Sequence, residues 1–418
     1  MRKITTTPAC PADLKYTNRI QVLNVFLDGS SYTASEVAAA IGLSRQTVMK
    51  SIQFFLGNGL LVSDGKGDST LLGGKRPELF TLSKNKYFLC ITLWPQEVRL
   101  NLTTLGGQVL DKIELSQPLP QDPKAAIDEV GKLSLELMEK HSIPSADLCA
   151  VSLSTSGIMD YKAGILKYSS QSPAWGSNVP LRAYLQEYFP EGTQIFLENA
   201  GKMTARPFLL EQDLTSKRVL VIFTCWGLSS CLIEKGRILS GSNALIGEIG
   251  HMIVDPADPE RCGCGSQGCL ERLVCVERIR DMAAKEASRF PDSALAEISP
   301  ECLTLRDIFD ASARCDPLGR YLVAYVAKTF ATALRNISLI FDPDLIVFQG
   351  DYAYADPYFD SQFRRQLQEF QYFPGDGPFD IRYDRRPLSQ MDAQGSFIAL
   401  LQHYFDSPEL YMESNSAE

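Results

Sequence analysis

The chain contains no run of about 18 apolar residues, so no segment reads as a transmembrane helix and no membrane partner is expected. Its first residues lack the basic-then-apolar build of a secretory signal, and a cytoplasmic protein is the expectation. Histidine is scarce, with three in 418 residues. Two of them, His141 and His403, fall in polar helical surroundings and read as surface residues. A disulfide framework is lacking as well, because the eleven cysteines are odd in number and scattered through a long chain. Metal binding and buried thiols account for them better. The net charge of −9 excludes a protein that is basic throughout. Charge is nevertheless uneven: residues 1–83 hold nine Lys/Arg against six Asp/Glu, which is +3, and the remainder carries −12. A small basic module on an acidic body fits local contact with nucleic acid. At 418 residues the chain is also too long for one ordinary core, and two or three domains are expected.

What is present concentrates between residues 247 and 271. Gly247-Glu248-Ile249-Gly250-His251 is followed by Cys262-Gly263-Cys264 and then by Gly268-Cys269-Leu270-Glu271. His251, Cys262, Cys264 and Cys269, at the spacing H-x10-C-x-C-x4-C, supply the four N/S ligands of a closed tetrahedral zinc site. Buried free thiols are the competing assignment, but they do not explain three cysteines within eight residues beside a rare histidine. Gly263, Gly265 and Gly268 allow the sharp turns that aim three thiolates at one point. Four protein ligands leave no open position for water, so one structural Zn²⁺ per chain is expected.

Asn18 to Leu27 reads as an amphipathic helix ended by Asp28-Gly29-Ser30. A second helix starts near Thr33 and runs through Ile41; Gly42 makes the turn, and Ser44 caps a third from Arg45 to about Leu56. Val48, Ile52, Phe55 and Leu56 form its packing stripe. This is a helix-turn-helix. Leu60-Leu61-Val62 and Leu79 to Leu82 read as strands around a glycine-rich basic tip that ends in Lys75-Arg76-Pro77, the wing of a winged helix. Arg45 and Gln46 stand where recognition helices reach base edges. With Thr47 and Lys50 on the helix and Lys75 and Arg76 on the wing, they form the expected DNA-contact set; a merely solvated helix surface is the alternative.

From Tyr87 the pattern changes to strands, a helix over Ala125 to His141 and a buried strand over Leu148 to Leu153. A strand pair recurs after Arg218, which fits two similar α/β units. Leu322 to Leu339 reads as a core helix, Trp175 as packing in the first lobe, and Met412 to Glu418 as a polar tail.

GEIGH followed by CGCGSQGCLE resembles the signature of the ROK family, which holds bacterial sugar kinases and sugar-responsive repressors. The resemblance extends through Val179-Pro180-Leu181 after Trp175, through Glu198-Asn199, and through Asp342 to Val347. LSRQTV and GGKRP are similar to the DNA-binding arm of the family's repressors, which its free-standing kinases lack. The resemblance implies an α/β chain with an N-terminal winged helix-turn-helix and a two-lobed actin/hexokinase-like body. The expected divisions are residues 1–83 (winged helix), 84–197 (first lobe), 198–388 (second lobe with the zinc loop) and 389–418 (a helix returning to the first lobe, then the tail). It also implies that Asn199, Glu248, His251 and Glu271 hydrogen-bond sugar hydroxyls. Support of the metal loop is the competing role for Glu248 and Glu271.

The catalytic parts of the family's kinases are not matched. Where the first phosphate loop reads about D-x-G-G-T, this chain has Thr92-Leu93-Trp94-Pro95-Gln96. Where the second reads about G-T-G-I-G, it has Cys225-Trp226-Gly227-Leu228-Ser229. The aspartate of E-N-D-A-N is replaced by Ala200, which has no proton-accepting group. No catalytic residue and no enzymatic activity are therefore expected. The expected function is a sugar-responsive transcriptional regulator, in repressor mode, whose partners are operator DNA and a sugar or sugar derivative. A palindromic operator would require a homodimer or a dimer of dimers. The alternatives are an ATP-dependent sugar kinase with an added DNA-binding arm, and a body that binds another protein.

Overall fold

The computed structural model describes residues 18–19, 21–67, 76–369 and 379–406. Lys75, most of the expected wing tip and the tail from 412 lie outside the described residues. Residues 18–19 and 21–24 are helical, followed by a tight turn over Val25–Asp28 that Gly29 ends at φ 74°. Thr33 caps the next helix, Ala34–Ile41, through a reciprocal pair: Glu36 N–H donates to Thr33 Oγ1, and Thr33 N–H donates to the Glu36 carboxylate. Gly42, at φ 69°, makes the turn that a side chain would strain. Ser44 then caps the helix Arg45–Gly57. Strands β1 (Tyr32–Thr33), β2 (Leu61–Lys66) and β3 (Glu78–Leu82) form an antiparallel sheet in the order β1-β3-β2. Val48, Ile52 and Phe55 are buried against Val22, Phe26, Val37 and Phe80, while Leu56 is only half-buried.

The body contains one topology twice. In the first sheet, β4 (Tyr87–Trp94), β5 (Glu97–Thr104) and β6 (Val109–Leu115) form an antiparallel meander. Strands β7 (Leu148–Thr155) and β10 (Gln194–Asn199) add to the β4 edge in parallel, giving the order β10-β7-β4-β5-β6. A hairpin of β8 (Ile158–Asp160) and β9 (Ile165–Tyr168) lies between them in sequence. In the second sheet, β11 (Arg218–Thr224), β12 (Leu228–Glu234) and β13 (Arg237–Ile238) are the meander. Strands β14 (Leu345–Gly350) and β15 (Asp380–Asp384) add in parallel, in the order β13-β12-β11-β14-β15. The central strands read as unbroken apolar runs because both faces are covered: β4 is buried from Phe88 to Trp94. Helices Pro123–Lys140 and Pro317–Phe341 link meander to parallel strand in the two halves and fill their cores. Strand β10 continues through Asn199, so the first sheet runs past the lobe division expected at 198.

The last described helix, Leu388–Asp406, connects three parts of the molecule. Its start packs Leu388 against Trp94, Ala200 and Phe223. Gly395 lies so close to the helix Ala200–Ala205 that a Cβ there would sit 1.8 Å from the Met203 carbonyl oxygen. Its end buries Leu400, Leu401 and Tyr404 in one cluster with Val22, Leu23 and Phe26 of the winged helix and Phe88 of β4. His403, expected at the surface, is half-buried with its ring 5.3 Å from Phe196, because this face of the helix covers the first sheet. His141 is exposed beside Asp111, with Nε2 2.8 Å from a carboxylate oxygen. Trp175 is buried in the first-lobe core, and its indole N–H donates to the Pro120 carbonyl. Among the described residues no helix is long and apolar enough to cross a membrane.

Candidate functional site

The four expected ligands converge. His251 ends the short helix Ile249–His251, Cys262 and Cys264 lie on the following loop, and Cys269 precedes the helix Leu270–Val274. Their ligand atoms all lie within 4.8 Å of one another. His251 Nδ1 is 3.6 Å from Cys262 Sγ, and Cys264 Sγ is 3.6 Å from Cys269 Sγ. Thiolates about 2.3 Å and a histidine nitrogen about 2.0–2.1 Å from a tetrahedral zinc stand about 3.6–3.8 Å apart, so the donor set fits zinc. Gly268, at φ 72°, is required: a Cβ there would fall 1.9 Å from the Asp255 carbonyl oxygen. Gly265 is also in the left-handed region, at φ 92°, whereas Gly263 is not and packs against Ser170.

The metal loop forms one wall of a small cavity of about 70 Å³ at the lobe junction. Asn199, Glu248, His251 and Glu271 all line it. With Nδ1 turned to Cys262, His251 keeps Nε2 for another partner. Burial pushes the Glu248 carboxyl above its ordinary range and Glu271 adds to the rise, while Lys202 and His251 oppose it. One Glu271 oxygen accepts the Leu228 N–H at 2.7 Å. Gly227 makes that reach possible, since a Cβ there would crowd Glu271 Oε2 at 3.0 Å and Gln171 Nε2 at 2.8 Å. Asn199 is more committed than expected. Its Oδ1 accepts the Lys202 N–H at 3.3 Å as a helix cap, and its Nδ2 donates to the Gly157 carbonyl at 3.0 Å. Two neighbours had no sequence signal: Lys202, whose side chain is buried, and Tyr161, whose hydroxyl accepts from Lys202 Nζ at 3.2 Å.

The turns after β4 and β11 meet across the same junction. Trp94 stacks on Phe223 with centroids 5.1 Å apart and planes within 9°. Ala200 is fully buried in the apolar cluster they make. Beyond it opens a second, larger cavity of about 640 Å³, bounded by Pro95 and Gln96 of the first turn and by Cys225, Trp226 and Gly227 of the second. Gln171, Gly227, Leu228 and Glu271 line both cavities, so the two adjoin. The sugar-type side chains gather in the smaller one and only Glu271 reaches the larger. The larger size therefore does not mark the better match to the expected chemistry.

At the other end of the molecule, Arg45, Gln46 and Lys50 are exposed on the helix Arg45–Gly57, together with Gln53. Thr47 is half-buried, with its N–H donating to the Ser44 hydroxyl. Arg76 is exposed at the base of the wing.

The family model described as ROK family matches residues 88–381, more than half of the chain. The chain is 24% identical over 258 residues to a glucokinase of Thermotoga maritima, covering 60% of this chain and 77% of that protein. It is 22% identical over 359 residues to the xylose repressor of Caldicellulosiruptor bescii, covering 85% of this chain and 88% of the repressor. Among solved structures, a ROK family transcriptional regulator, a homolog of the E. coli MLC protein, superposes with a TM-score of 0.75 at 20% identity. That match covers 95% of this chain and 99% of the other, and it carries the fold.

Proposed function

The chain belongs to the ROK family, and on that footing we propose that it is a cytoplasmic sugar-responsive transcriptional repressor whose body binds a carbohydrate and does not phosphorylate it. The observation that carries this reading is the state of the junction. Where the family's kinases need a carboxylate beside two phosphate turns, Ala200 is sealed under the Trp94–Phe223 stack. On the other side of the same junction Glu248, His251 and Glu271 still line one cavity. A positioned base contributes about 10²–10⁴-fold to such a proton transfer, so the missing group and the blocked turns act in the same direction.

Zinc held by His251, Cys262, Cys264 and Cys269 would fix the loop that presents Glu248 and Glu271. Glu248, as a carboxyl, and His251, through Nε2, would hydrogen-bond sugar hydroxyls, with Asn199 contributing its remaining amide hydrogen. Glu271 would use the oxygen not taken by Leu228 N–H. Arg45 and Gln46 would contact base edges, with Thr47 and Lys50 beside them, while Lys75 and Arg76 on the wing would contact phosphate or the minor groove. Two copies would bind a palindromic operator.

Coupling between cavity and DNA would run through the helix Leu388–Asp406. It touches the Trp94–Ala200–Phe223 cluster at one end and the winged-helix core at the other. A sugar that binds one lobe arrangement more tightly than the other would move this helix and with it the DNA-binding arm.

The test is operator binding by fluorescence anisotropy, titrated with a sugar panel, beside a coupled ADP-release assay on the same panel. Sugar-dependent release from DNA without ATP turnover supports the reading, and turnover at ordinary kinase rates of about 1–100 s⁻¹ overturns it. The glucokinase relative keeps the kinase alternative in view, and the second assay decides it.

A further inference from the structure

We propose that the effector is a disaccharide or longer glycoside: one ring lies among Glu248, His251 and Glu271, and the next lies in the larger cavity against Trp226. This rests on the carbohydrate-binding reading above and extends it to the length of the ligand. The first ground is continuity. Gln171, Gly227, Leu228 and Glu271 belong to both cavities, so a ligand held by Glu271 has its next unit at the mouth of the larger space. The second is size. The cavity holding the sugar-type residues is about 70 Å³ and its neighbour about 640 Å³, whereas small-molecule sites span about 300–1,000 Å³.

The third ground is the chemistry of the larger cavity, which suits a neutral polyol and opposes a polyphosphate. Carboxylates of Glu271, Glu277 and Asp351 line it. Of its two arginines, Arg272 is already paired with Glu260 at 2.6 Å, and exposed Arg261 gives one N–H to the Gly265 carbonyl at 3.1 Å, so the three carboxylates outnumber the one cation without a carboxylate partner. Pro95 brings no amide N–H to the turn where phosphate would need one. Half-buried Trp226 offers a broad apolar face on the cavity wall, matching the C–H face of a pyranose ring. Gln96, Gln171 and Asp351 stand around it as acceptors or donors for ring hydroxyls.

Calorimetry on the full chain tests this with glucose, xylose and N-acetylglucosamine, each beside its β-1,4-linked dimer and trimer. In one series the dimer is expected to bind about tenfold or more tightly than the monomer. Trp226→Ala should remove that gain while leaving monomer affinity within about twofold, and Asp351→Asn, an open position in the cleft, should reduce it. Equal affinity of monomer and dimer overturns the proposal but leaves the sugar-sensing reading standing. So does a gain that survives both substitutions. Absence of binding by any sugar of any length overturns both.

Discussion

The two lobes carry equivalent hairpins, β4–β5 and β11–β12, and these have diverged in what stands behind them. Behind the second, Thr224 donates to the Gln349 carbonyl at 2.6 Å, and Gln349 Nε2 donates to the Thr204 carbonyl at 3.1 Å and to Asp384 at 3.2 Å. The turn itself keeps Gly227, which lets Glu271 reach the Leu228 N–H. Behind the first, buried Asp392 is held only loosely among the described residues, with the Thr92 hydroxyl beside it and Arg99 Nη1 3.8 Å away. Among the described residues the buried hydroxyls of Ser152 and Ser396 meet no partner in hydrogen-bond geometry, and the turn above ends in the Trp94–Phe223 stack. Buried polar groups left unpaired cost about 1–3 kcal/mol each. One hairpin thus has a well-bonded base and keeps Gly227 beside Glu271, and the other ends in an apolar plug over a more loosely bonded base.

The largest effect that would break this contrast lies on the satisfied side. Cys269→Ser, or chelation of the metal, should release the loop from His251 to Glu271. Structural zinc sites carry about 10–16 kcal/mol of apparent binding free energy in small domains, and even a fraction of that would dominate a body of this size. The expected result is one zinc per chain by elemental analysis, lost in Cys269→Ser, together with a fall in melting temperature and loss of the sugar response. A metal-free chain with unchanged melting temperature refutes the structural role.

On the plugged side, introducing an acid should harm rather than help. Ala200→Asp would bury a carboxylate in the apolar cluster of Trp94, Phe223 and Leu388, at a cost of about 3–5 kcal/mol. Urea denaturation should show that loss, and ADP release should stay at background because Trp94-Pro95 still occupies the first turn. Kinase activity in Ala200→Asp would mean that the two hairpins have diverged less than their packing indicates.

How much of this was legible in the sequence follows from range. The cap at Ser44, the turn at Gly42 and the helix start near Thr33 act within four residues, and they fall where the sequence places them; that Thr33 itself is the cap is seen only in the structure. The His/Cys cluster that could hold a metal is legible because its residue types are distinctive and one loop carries most of them. The repeated meander shows as paired apolar runs. What stays hidden depends on contacts between distant segments. Nothing local in Trp94 announces Phe223, 129 positions later, as its stacking partner. Asn199 reads as a free amide until Gly157 is seen to accept from it. Lys202 and Tyr161 reach the site only once β8 and the helix Ala200–Ala205 are folded together. The C-terminal helix gives no sequence hint that Leu400 and Leu401 belong to the winged-helix core.

The N-terminal winged helix tests whether the proposed ligand site and operator contact are separable. Arg45→Ala or Gln46→Ala should weaken binding to one preferred site by about 1–3 kcal/mol and relax its sequence preference. Arg76→Ala should weaken all sequences alike and flatten the salt dependence by about one contact. Glu248→Ala should leave both properties intact while abolishing the sugar response. Identical salt titrations for the helix and wing variants would remove the division of labour between them.

The smallest effect concerns the base of the plugged hairpin. Burial pushes the Asp392 carboxyl up to about 7, and Thr92 and Arg99 offset that only in part, with Glu97 adding to the rise. An acid whose folded-state pKa lies above its unfolded value favours the folded state while protonated. Its contribution is full below the unfolded pKa near 3.8 and is lost as pH climbs through about 7. From pH 5 to pH 8 this group alone should therefore remove about 2 kcal/mol of stability, allowing for relaxation around the site. Asp392→Asn cannot ionise, so its stability relative to the parent should improve by about that amount between the two pH values. Denaturant midpoints at pH 5 and pH 8 measure it directly. A difference between parent and variant that does not change with pH would mean that water or Arg99 already neutralises Asp392, and the first hairpin would then be as well founded as the second.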